Sequence, residues 1–284
     1  TTERNRPPLS ALWELSKPGR ERKYPPSVQE EIEAGLAIGV NVLAYATNRE
    51  LKTKDLTAFV TPPDKGPADK IRRGKLYVAN LKHPGGCSAA PRALTNLLEA
   101  TAENVRIRVE TNPREIAITD PALFDHHLVF MHGRTSFQLT DAERKLLKTY
   151  LERGGMLLAD SICASQQFTD SFRREMQAMF PDKRLRPIPK DDPLLTTAYG
   201  GSDLSTVTRL DPQARDKNEP MKALRRKVPP ELEGIDFDGR WGVIFSRFDL
   251  SCALEKQNSI ECQGYTREDA ARIGVNVVMY SLQQ

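Results

Sequence analysis

Short apolar runs alternate with amphipathic stretches along the last three quarters of the chain. Residues 76–81 form a continuous apolar run, which is typical of a strand buried on both faces, and residues 88–102 have the pattern of a helix. Residues 105–109 alternate between apolar and polar positions like a second strand, and residues 127–132 form a third apolar run. Because strand and helix signals alternate, we predict parallel strands joined by right-handed crossovers.

The clearest helix signal begins at Thr140. Glu143 follows three residues later, and these two residues have the spacing of a capping box. The apolar positions that follow lie on one helical face: Ala142, Leu146, Leu147, Tyr150 and Leu151. The helix is predicted to end at Gly154. Residues 156–159 are predicted as a fourth strand, followed by a helix that Pro181 ends.

The remaining part of the chain is less regular. Residues 184–233 are rich in proline and polar residues, and we predict a long excursion with short strands over the sheet. Residues 242–245 are predicted as the last strand, and a closing helix is predicted to begin at Thr266, with Asp269 as its capping partner. The whole pattern predicts an α/β fold, a three-layer sandwich with a mainly parallel central sheet and an N-terminal helical appendage.

An internal repeat links the two ends of the chain. Residues 33–46 read EAGLAIGVNVLAYA and residues 268–281 read EDAARIGVNVVMYS, with seven identities at a constant offset of 235. We therefore interpret residues 1–60 as the closing segment of a preceding copy of the same domain, residues 61–74 as a Pro/Lys-rich linker and residues 75–284 as the α/β domain. The alternative is a chance resemblance between two amphipathic helices.

The charge and cysteine content exclude several kinds of site. The net charge is +4, and the basic clusters have no interleaved aromatic residues for base stacking, so we predict no nucleic-acid partner. The longest apolar run, residues 35–46, is far shorter than the roughly twenty residues of a membrane span, so none is predicted. The four cysteines have no C-x-x-C spacing, which disfavours a zinc ribbon. No metal or cofactor is predicted.

Two cysteines near the end of the chain leave two alternatives open. Cys252 and Cys262 are close enough in sequence for a disulfide across a short loop, if the compartment is oxidising. The alternative is that they are two buried thiols.

Polar residues directly after the predicted strands form the candidate site, because ligands of open α/β sheets bind beyond the carboxyl ends of the strands. We expect His132 and Asp160 to converge on one cleft there. Cys163 lies on a strand-to-helix turn and is the candidate nucleophile, with His132 as its base. Its neighbours Ile162 and Ala164 are not the glycines of a nucleophile elbow, so a buried structural cysteine is the alternative. The candidate ligand-binding residues are His83, Arg134, Asp160, Ser161, Arg240, Arg247 and Asp249.

Arg134, Arg240 and Arg247 point to a small anionic ligand, since guanidinium groups at strand ends bind phosphate or carboxylate. The alternative is that these arginines pair with nearby aspartates, Asp160 and Asp249 among them, and only fasten loops. The sequence contains neither G-x-x-x-x-G-K-[ST] nor G-x-G-x-x-G, so no nucleotide cofactor is predicted.

A series of short motifs occurs in order between residues 130 and 284. They are FMHG, LTDAERKLLKTYLERGGMLLAD, SFRREM, IPKDDPLL, DGRWGVIFSRFDLSCALE and CQGYTREDAARIGVNVVMYSL. Over residues 75–284 the chain resembles the domain-of-unknown-function 4159 family. The resemblance implies a flavodoxin-like α/β fold related to class I glutamine amidotransferase-like domains, carried in larger bacterial proteins of the cell envelope, and it implies no established reaction.

Residues and resemblance together predict a non-catalytic module that binds a ligand or a partner. Its partners are expected to be another protein, other domains of the same polypeptide or a small anion. A periplasmic or envelope-associated location is suggested by the resemblance alone. The alternative function is a cysteine-dependent hydrolase or amidotransferase-like enzyme that uses Cys163 and His132.

Overall fold

The computed structural model describes residues 25–46, 74–105, 107–213, 222–255 and 262–284. The chain divides into two compact units, Thr1–Pro67 and Ala68–Gln284. In the first unit the described residues form a single helix, α1 (Pro26–Ala46). The predicted linker lies outside the described residues except for its last position. Among the described helices, none combines the length and the apolarity that a bilayer crossing requires.

The second unit is built around a seven-stranded sheet with the order β2-β1-β3-β4-β9-β8-β5. The strands, including three that form a second sheet, are β1 (Val78–Lys82), β2 (Glu115–Ala117), β3 (Leu128–Gly133), β4 (Met156–Ser161), β5 (Arg186–Pro187), β6 (Val207–Pro212), β7 (Ala223–Val228), β8 (Leu232–Phe237), β9 (Arg240–Ser246) and β10 (Gly264–Tyr265). Five neighbouring strands of this sheet run parallel: β2, β1, β3, β4 and β9. The last two strands, β8 and β5, are antiparallel to their neighbours. This arrangement confirms the mainly parallel central sheet.

Helices cover both faces of the sheet. They are α2 (Ala93–Asn104), α3 (Asp141–Glu152), α4 (Gln166–Met179), α5 (Ser251–Leu254) and α6 (Arg267–Ser281). Leu97 of α2 and Ile273 of α6 belong to one buried cluster with Phe130, whereas Leu147 of α3 and Phe172 of α4 belong to a second. Because successive side chains of a strand point to opposite faces, these two clusters are the two interfaces of a three-layer sandwich. We call the two sides the α2/α6 face and the α3/α4 face.

Local signals position α3 and α6. Thr140 accepts a hydrogen bond from the Glu143 amide, and Glu143 accepts one from the Thr140 amide, so the predicted capping box is confirmed. Thr266 does precede α6, but its hydroxyl donates to the Asp269 carboxylate instead of accepting from the main chain. The same carboxylate accepts from the Thr208 amide, which fastens the start of α6 to β6.

The prediction of the second strand was wrong. Of the described residues in the range 105–109, Val109 alone forms a bridge, with Leu76, and the strand that pairs with β1 is β2. The amide of Val105 donates to Thr101 and closes the last turn of α2, so the start of the predicted strand belongs to the helix end. The short strand β2 contains one buried apolar residue, Ile116, which is too little for a periodic signal.

The proline-rich excursion contains more sheet than the pattern predicts. β8 pairs antiparallel with β9, and the turn between them contains Asp238 and Gly239 with φ values of 56° and 89°. Two positive φ values in succession are the requirement of a tight hairpin turn, which Asp-Gly satisfies. β6 pairs with β7 and with β10 in a separate three-stranded antiparallel sheet.

The repeated block has a definite structural role in α6. A Cβ atom on Gly274 would lie 2.4 Å from a methyl carbon of Leu97, so the glycine permits close packing of α6 on α2. The Asn276 side chain accepts from the Ser202 amide and donates to the carbonyls of Leu194 and Ser202. The Tyr280 hydroxyl accepts from the Trp241 amide at the start of β9. These residues fix α6 and the excursion against the sheet.

Candidate functional site

Polar residues do converge at the carboxyl ends of the parallel strands. His132 of β3 and Asp160 of β4 are register partners, and Asp160 is in turn the partner of Ser246 on β9. All three residues are fully buried. The ring of His132 lies 5.4 Å from that of Phe130, which belongs to the α2/α6 face. The three polar side chains therefore form a row on that face of the sheet.

Two buried carboxyl groups fasten α5 to the end of β4. Asp160 accepts from the amides of Leu250 and Ser251, both at 3.0 Å, and from the Ser251 hydroxyl at 2.7 Å. Asp249 accepts from three amides, those of Cys163, Cys252 and Ala253. The partners are thus main-chain amides and a hydroxyl, so these aspartates fasten loops without the arginines that we considered for that role.

The electrostatics of this carboxyl pair follow from burial. Burial, with the Asp249 charge as the second cause, raises the pKa of Asp160 to about 7. Burial also raises the pKa of Asp249, against the three amides that favour its charged form. Repulsion between two carboxylates in a dry environment means that one proton is retained by the pair well above the usual range of a carboxyl group.

The observed cysteine pairing matches neither alternative predicted for Cys252 and Cys262, a disulfide between them or two buried thiols. Cys163 forms a disulfide with Cys262, and the buried Cys252 is a free thiol. The Cys252 sulfur lies 3.8 Å from the Cys163 sulfur. Burial, followed by the Asp249 charge, raises the pKa of the Cys252 thiol. The candidate nucleophile is therefore occupied in a covalent bond, and the thiol beside it is held protonated.

Three cysteine sulfurs and one carboxylate are close enough together to bind a metal ion. The ligand atoms of Cys163, Asp249, Cys252 and Cys262 all lie within 4.8 Å of one another. The sequence analysis placed Asp249 and Cys163 at the same strand ends, but it did not connect Cys252 with them. The signal that could have connected them is that Asp249 and Cys252 follow β9 directly, at the same sheet edge at which Cys163 follows β4.

Neither imidazole forms a hydrogen bond with Cys163 in the described part of the chain. Among the described residues His132 has no hydrogen-bond partner at either ring nitrogen, and burial, then the charge of His83, lowers its pKa to about 4 against the opposing effect of the Cys87 main chain. The Gly85 amide donates to Nδ1 of His83, so Nε2 carries the proton and donates to the His132 carbonyl at 3.0 Å. Both ring nitrogens of His83 are thus occupied by the main chain. In the described part of the chain, no imidazole contact activates Cys163.

The loops after β1 and β3 meet at the point where the strand order reverses. The Gly85 carbonyl accepts from the amides of Arg134 and Thr135 at 2.9 and 3.2 Å. Arg134 is exposed, and within the described ranges its guanidinium group has no hydrogen-bond or ion-pair partner. In sheets of this order, ligands bind at this switch point.

The other candidate ligand-binding residues are not brought together. The Ser161 hydroxyl donates to the Ser165 carbonyl. Arg247 packs 4.5 Å from the Phe248 ring and lies 3.9 Å from Glu231. Arg240 is the first residue of β9, at the amino ends of the parallel strands, where it donates to the carbonyls of Gly155 and Leu151. Arg240 thus lies far from the strand ends at which we expected it.

Two clefts are lined by described residues of the second unit. One of about 360 Å³ is lined by residues of α2, α5 and α6. Another, of about 280 Å³, lies at the amino ends of the strands around His126, His127 and Tyr150. Neither cleft includes the row of His132, Asp160 and Ser246.

Comparison with known proteins adds a family and no activity. No curated protein matches this chain. The model of a family described as Domain of unknown function (DUF4159) matches residues 77–282. This match spans the whole sheet, the disulfide and the switch point, and it agrees with the range over which the motifs were compared. The chain therefore belongs to the DUF4159 family.

Proposed function

We propose that residues 75–284 form a non-catalytic ligand-binding module of a larger bacterial, envelope-associated protein. Its ligand is a small oxyanion, bound by Arg134 at the switch point between β1 and β3. The cysteine and carboxyl groups that could take part in catalysis at this edge of the sheet are bonded to other parts of the protein, whereas the guanidinium group of Arg134 is exposed.

The observation that carries this proposal is the state of Cys163. Its sulfur is bonded to Cys262, and neither His132 nor His83 contacts it. A cysteine nucleophile needs a thiolate and a base within hydrogen-bond reach. Asp160 and Asp249, the other reactive groups nearby, are directed at main-chain amides. Among the described residues of this site, Cys163, Asp160 and Asp249 thus all have partners within the protein, which supports a binding function.

Arg134 supports the choice of an anion. The amides of Arg134 and Thr135 are fixed by the Gly85 carbonyl, so the main chain that carries the guanidinium group is held in place. A guanidinium group offers a planar pair of donors that matches the oxygens of phosphate or carboxylate. An exposed arginine without an acidic partner can make both hydrogen bonds to a ligand.

Two further features support the proposed compartment and the proposed structural relationship of the module. The Cys163–Cys262 disulfide favours an oxidising compartment, since structural disulfides persist outside reducing cytosol. The parallel part of the sheet has the order β2-β1-β3-β4-β9, which is the flavodoxin-like order and supports a relationship to class I glutamine amidotransferase-like domains. Partners in this setting are other domains of the same polypeptide or a neighbouring protein.

A phosphate titration followed by heteronuclear NMR tests the proposal. We expect saturable shifts of the amides of Arg134 and Thr135 in the wild-type chain. Arg134→Gln should weaken the apparent affinity at least tenfold. Arg225→Gln, a change at an exposed arginine of β7, is the matched control and should leave the titration unchanged. Shifts that do not saturate, or that survive Arg134→Gln, would overturn the assignment of Arg134.

One observation favours the alternative of a cysteine enzyme. Cys163 and Ala164 have φ values of 50° and 52° directly after β4, and a strained strand-to-helix turn is where a nucleophile elbow places its reactive group. That function requires reduction of the disulfide. After reduction, an enzyme should show faster alkylation by iodoacetamide at Cys163 than at the partly exposed Cys87. We expect Cys87 to react first, because Cys163 has no activating base.

A further inference from the structure

We propose that Cys163, Cys252, Cys262 and Asp249 form a tetrahedral zinc site when the disulfide is reduced, so that zinc and the disulfide are alternative crosslinks of the same three segments. The site lies at the ends of β4 and β9, and this proposal does not depend on anion binding by Arg134.

The distances fit tetrahedral coordination by zinc. Zinc–thiolate bonds of about 2.3 Å place two sulfur ligands of a tetrahedron roughly 3.8 Å apart. The sulfurs of Cys163 and Cys252 are 3.8 Å apart, and all four ligand atoms lie within 4.8 Å of one another. After reduction, the Cys163 and Cys262 sulfurs have to move apart by less than about 2 Å to reach the same spacing.

The main chain already orients the ligands. Asp249 Oδ1 accepts from the amides of both Cys163 and Cys252, so one carboxylate fixes the backbone of two sulfur ligands. Asp249 Oδ2 accepts from the Ala253 amide, and a carboxylate oxygen has a second lone pair for a metal ion. Asp249 is thus both a ligand and the group that positions two others.

The ligand set determines the kind of metal and of site. Thiolates select a borderline-soft ion such as zinc over magnesium or calcium, which prefer oxygen ligands. Four protein ligands leave no open position, so the site is structural and not hydrolytic. Asp249 and Cys252 are three residues apart, the spacing of a C-x-x-C ligand pair with a carboxylate in place of the first thiolate. This replacement explains why a search for C-x-x-C finds no zinc signature.

Charge also favours a cation. Asp160 lies beside the cluster, so the charges of two buried carboxyl groups act on the Cys252 sulfur, against the single positive charge of Arg134. A divalent cation at this position stabilises thiolates and carboxylates together. The two carboxyl groups therefore favour zinc here.

Reduction of the disulfide precedes zinc binding. A dithiol reductant gives two hydrogen atoms to the Cys163–Cys262 bond, yielding two thiols and the oxidised cyclic disulfide of the reductant. Zinc then displaces one proton from each of the three thiols, while Asp249 binds as carboxylate, so three protons are released per zinc ion. Reoxidation by a disulfide oxidant transfers two electrons from the Cys163 and Cys262 thiolates to that disulfide, which takes up two protons and becomes a dithiol, while the Cys163–Cys262 bond forms again, Cys252 regains its proton and Zn²⁺ is released.

Cobalt substitution tests the site in the full chain. The protein is reduced with a dithiol, freed of the reductant under argon and titrated with Co²⁺, then with Zn²⁺. We expect one equivalent of Co²⁺ with intense visible bands of a tetrahedral ion and a thiolate-to-metal charge-transfer band, both lost on adding Zn²⁺. The oxidised protein should bind at least a hundredfold more weakly.

Variants separate the proposed ligands from the rest of the chain. Cys252→Ser removes a ligand without touching the disulfide, so its oxidised form provides a check of folding by circular dichroism, and its reduced form should bind at least tenfold more weakly. Asp249→Asn should have a similar effect. Cys87→Ser is the matched control and should bind like the wild type. No one-to-one binding by the reduced protein, a spectrum without the charge-transfer band, or equal weakening by Cys87→Ser would each overturn the proposal.

Discussion

Two consecutive non-glycine residues adopt a left-handed backbone conformation shortly after the end of β4. Cys163 and Ala164 have φ values of 50° and 52°. For a residue with a Cβ atom this conformation costs roughly 1–2 kcal/mol. The Cys163 amide bonds to Asp249 and its sulfur bonds to Cys262, and these two restraints hold the turn. The backbone strain at this turn is a consequence of the contacts that surround it.

Replacement of Ala164 by glycine should relieve part of this strain. We expect Ala164→Gly to raise the free energy of unfolding by about 0.5–1 kcal/mol, since the relief of strain exceeds the extra entropy of glycine in the unfolded chain. Ala178→Gly, at an exposed position in the last turn of α4, is the same chemical change at a residue with a right-handed helical backbone, so it should lower the free energy of unfolding by roughly 0.5 kcal/mol. Urea denaturation of both variants measures the two effects. Equal signs would contradict the argument.

His132 gives the protein a predictable acid sensitivity. Its folded-state pKa of about 4 lies below the ordinary value of 6.5 because of burial. The folded state therefore binds fewer protons than the unfolded state between these values, so the contribution to stability is present above pH 6.5 and is lost as the pH falls towards 4. Asp160 has the opposite sign, because its raised pKa makes stability fall as the pH rises from about 4 to 7.

A pair of variants separates the two groups. His132→Phe removes the buried base, so the loss of stability between pH 7 and pH 4.5 should shrink by about 2 kcal/mol. Asp160→Asn removes the buried acid, so relative to the wild type this variant should become more stable as the pH rises over the same window. Urea denaturation at a series of pH values measures both slopes. Parallel curves for His132→Phe and the wild type would show that the histidine is not titrating as described.

At the scale of elements, the contact between α2 and α6 depends on a glycine. Gly274→Ala improves the helix propensity of α6 but places a methyl group 2.4 Å from the buried Leu97 side chain. We expect a net loss of about 1–3 kcal/mol from overpacking.

A double-mutant cycle tests this reason for the loss. Leu97→Ala alone creates a cavity and should cost about 2–5 kcal/mol. In the double variant the new methyl group occupies part of that cavity, so the loss should be smaller than the sum of the single losses by at least 0.5 kcal/mol. Additive losses, measured by urea denaturation, would mean that the two side chains do not compete for the same space.

Helices and strands that are specified by neighbouring residues were predictable from the sequence, whereas those that depend on distant contacts were not. The capping box at Thr140 and the continuous apolar strand β4 are specified by neighbouring residues, and both were found. β2 has a single buried residue, Ile116, and exists because it pairs with β1. The β8–β9 hairpin did have a local signal, the Asp238–Gly239 pair, but the prolines around it obscured the strand before the turn.

The candidate site shows the same division. The carboxyl ends of parallel strands meet at one edge, so the proximity of His132 and Asp160 follows from the order of the strands. The partners of these groups do not follow from it. Cys163 and Cys262 are 99 residues apart, and only the course of the chain after β9 brings Asp249, Cys252 and Cys262 to the turn after β4. No periodicity in the sequence encodes that path.

At the scale of the whole molecule, the repeat remains a prediction about domain organisation. In α6 the repeated residues Ile273 and Val275 are buried, whereas their counterparts Ile38 and Val40 in α1 are each 46% exposed. An apolar helix face that matches a core-packing face in sequence is consistent with the closing helix of another copy of the domain. Most of the other residues in this predicted segment lie outside the described ranges.

The Cys163–Cys262 disulfide is the longest-range covalent restraint in the described chain, and its effect on stability can be measured. It closes a loop of 99 residues that includes α4, the excursion and the hairpin. In the chain-entropy treatment, a loop of about this length corresponds to roughly 4–5 kcal/mol of destabilisation of the unfolded state, although measured effects are commonly 2–4 kcal/mol. Cys163→Ser with Cys262→Ser should therefore lower the free energy of unfolding by about 2–5 kcal/mol.

The measurement has to exclude the metal as a second crosslink. Urea denaturation in the presence of EDTA compares the double variant with the wild type, oxidised and reduced, and with Cys87→Ser. Reduced wild type and the double variant should agree within about 1 kcal/mol, because both lack the same restraint on the unfolded chain. Cys87→Ser should match the oxidised wild type. If reduction leaves the stability unchanged, the disulfide does not restrict the unfolded chain measurably, and the chain-entropy explanation of its contribution is wrong.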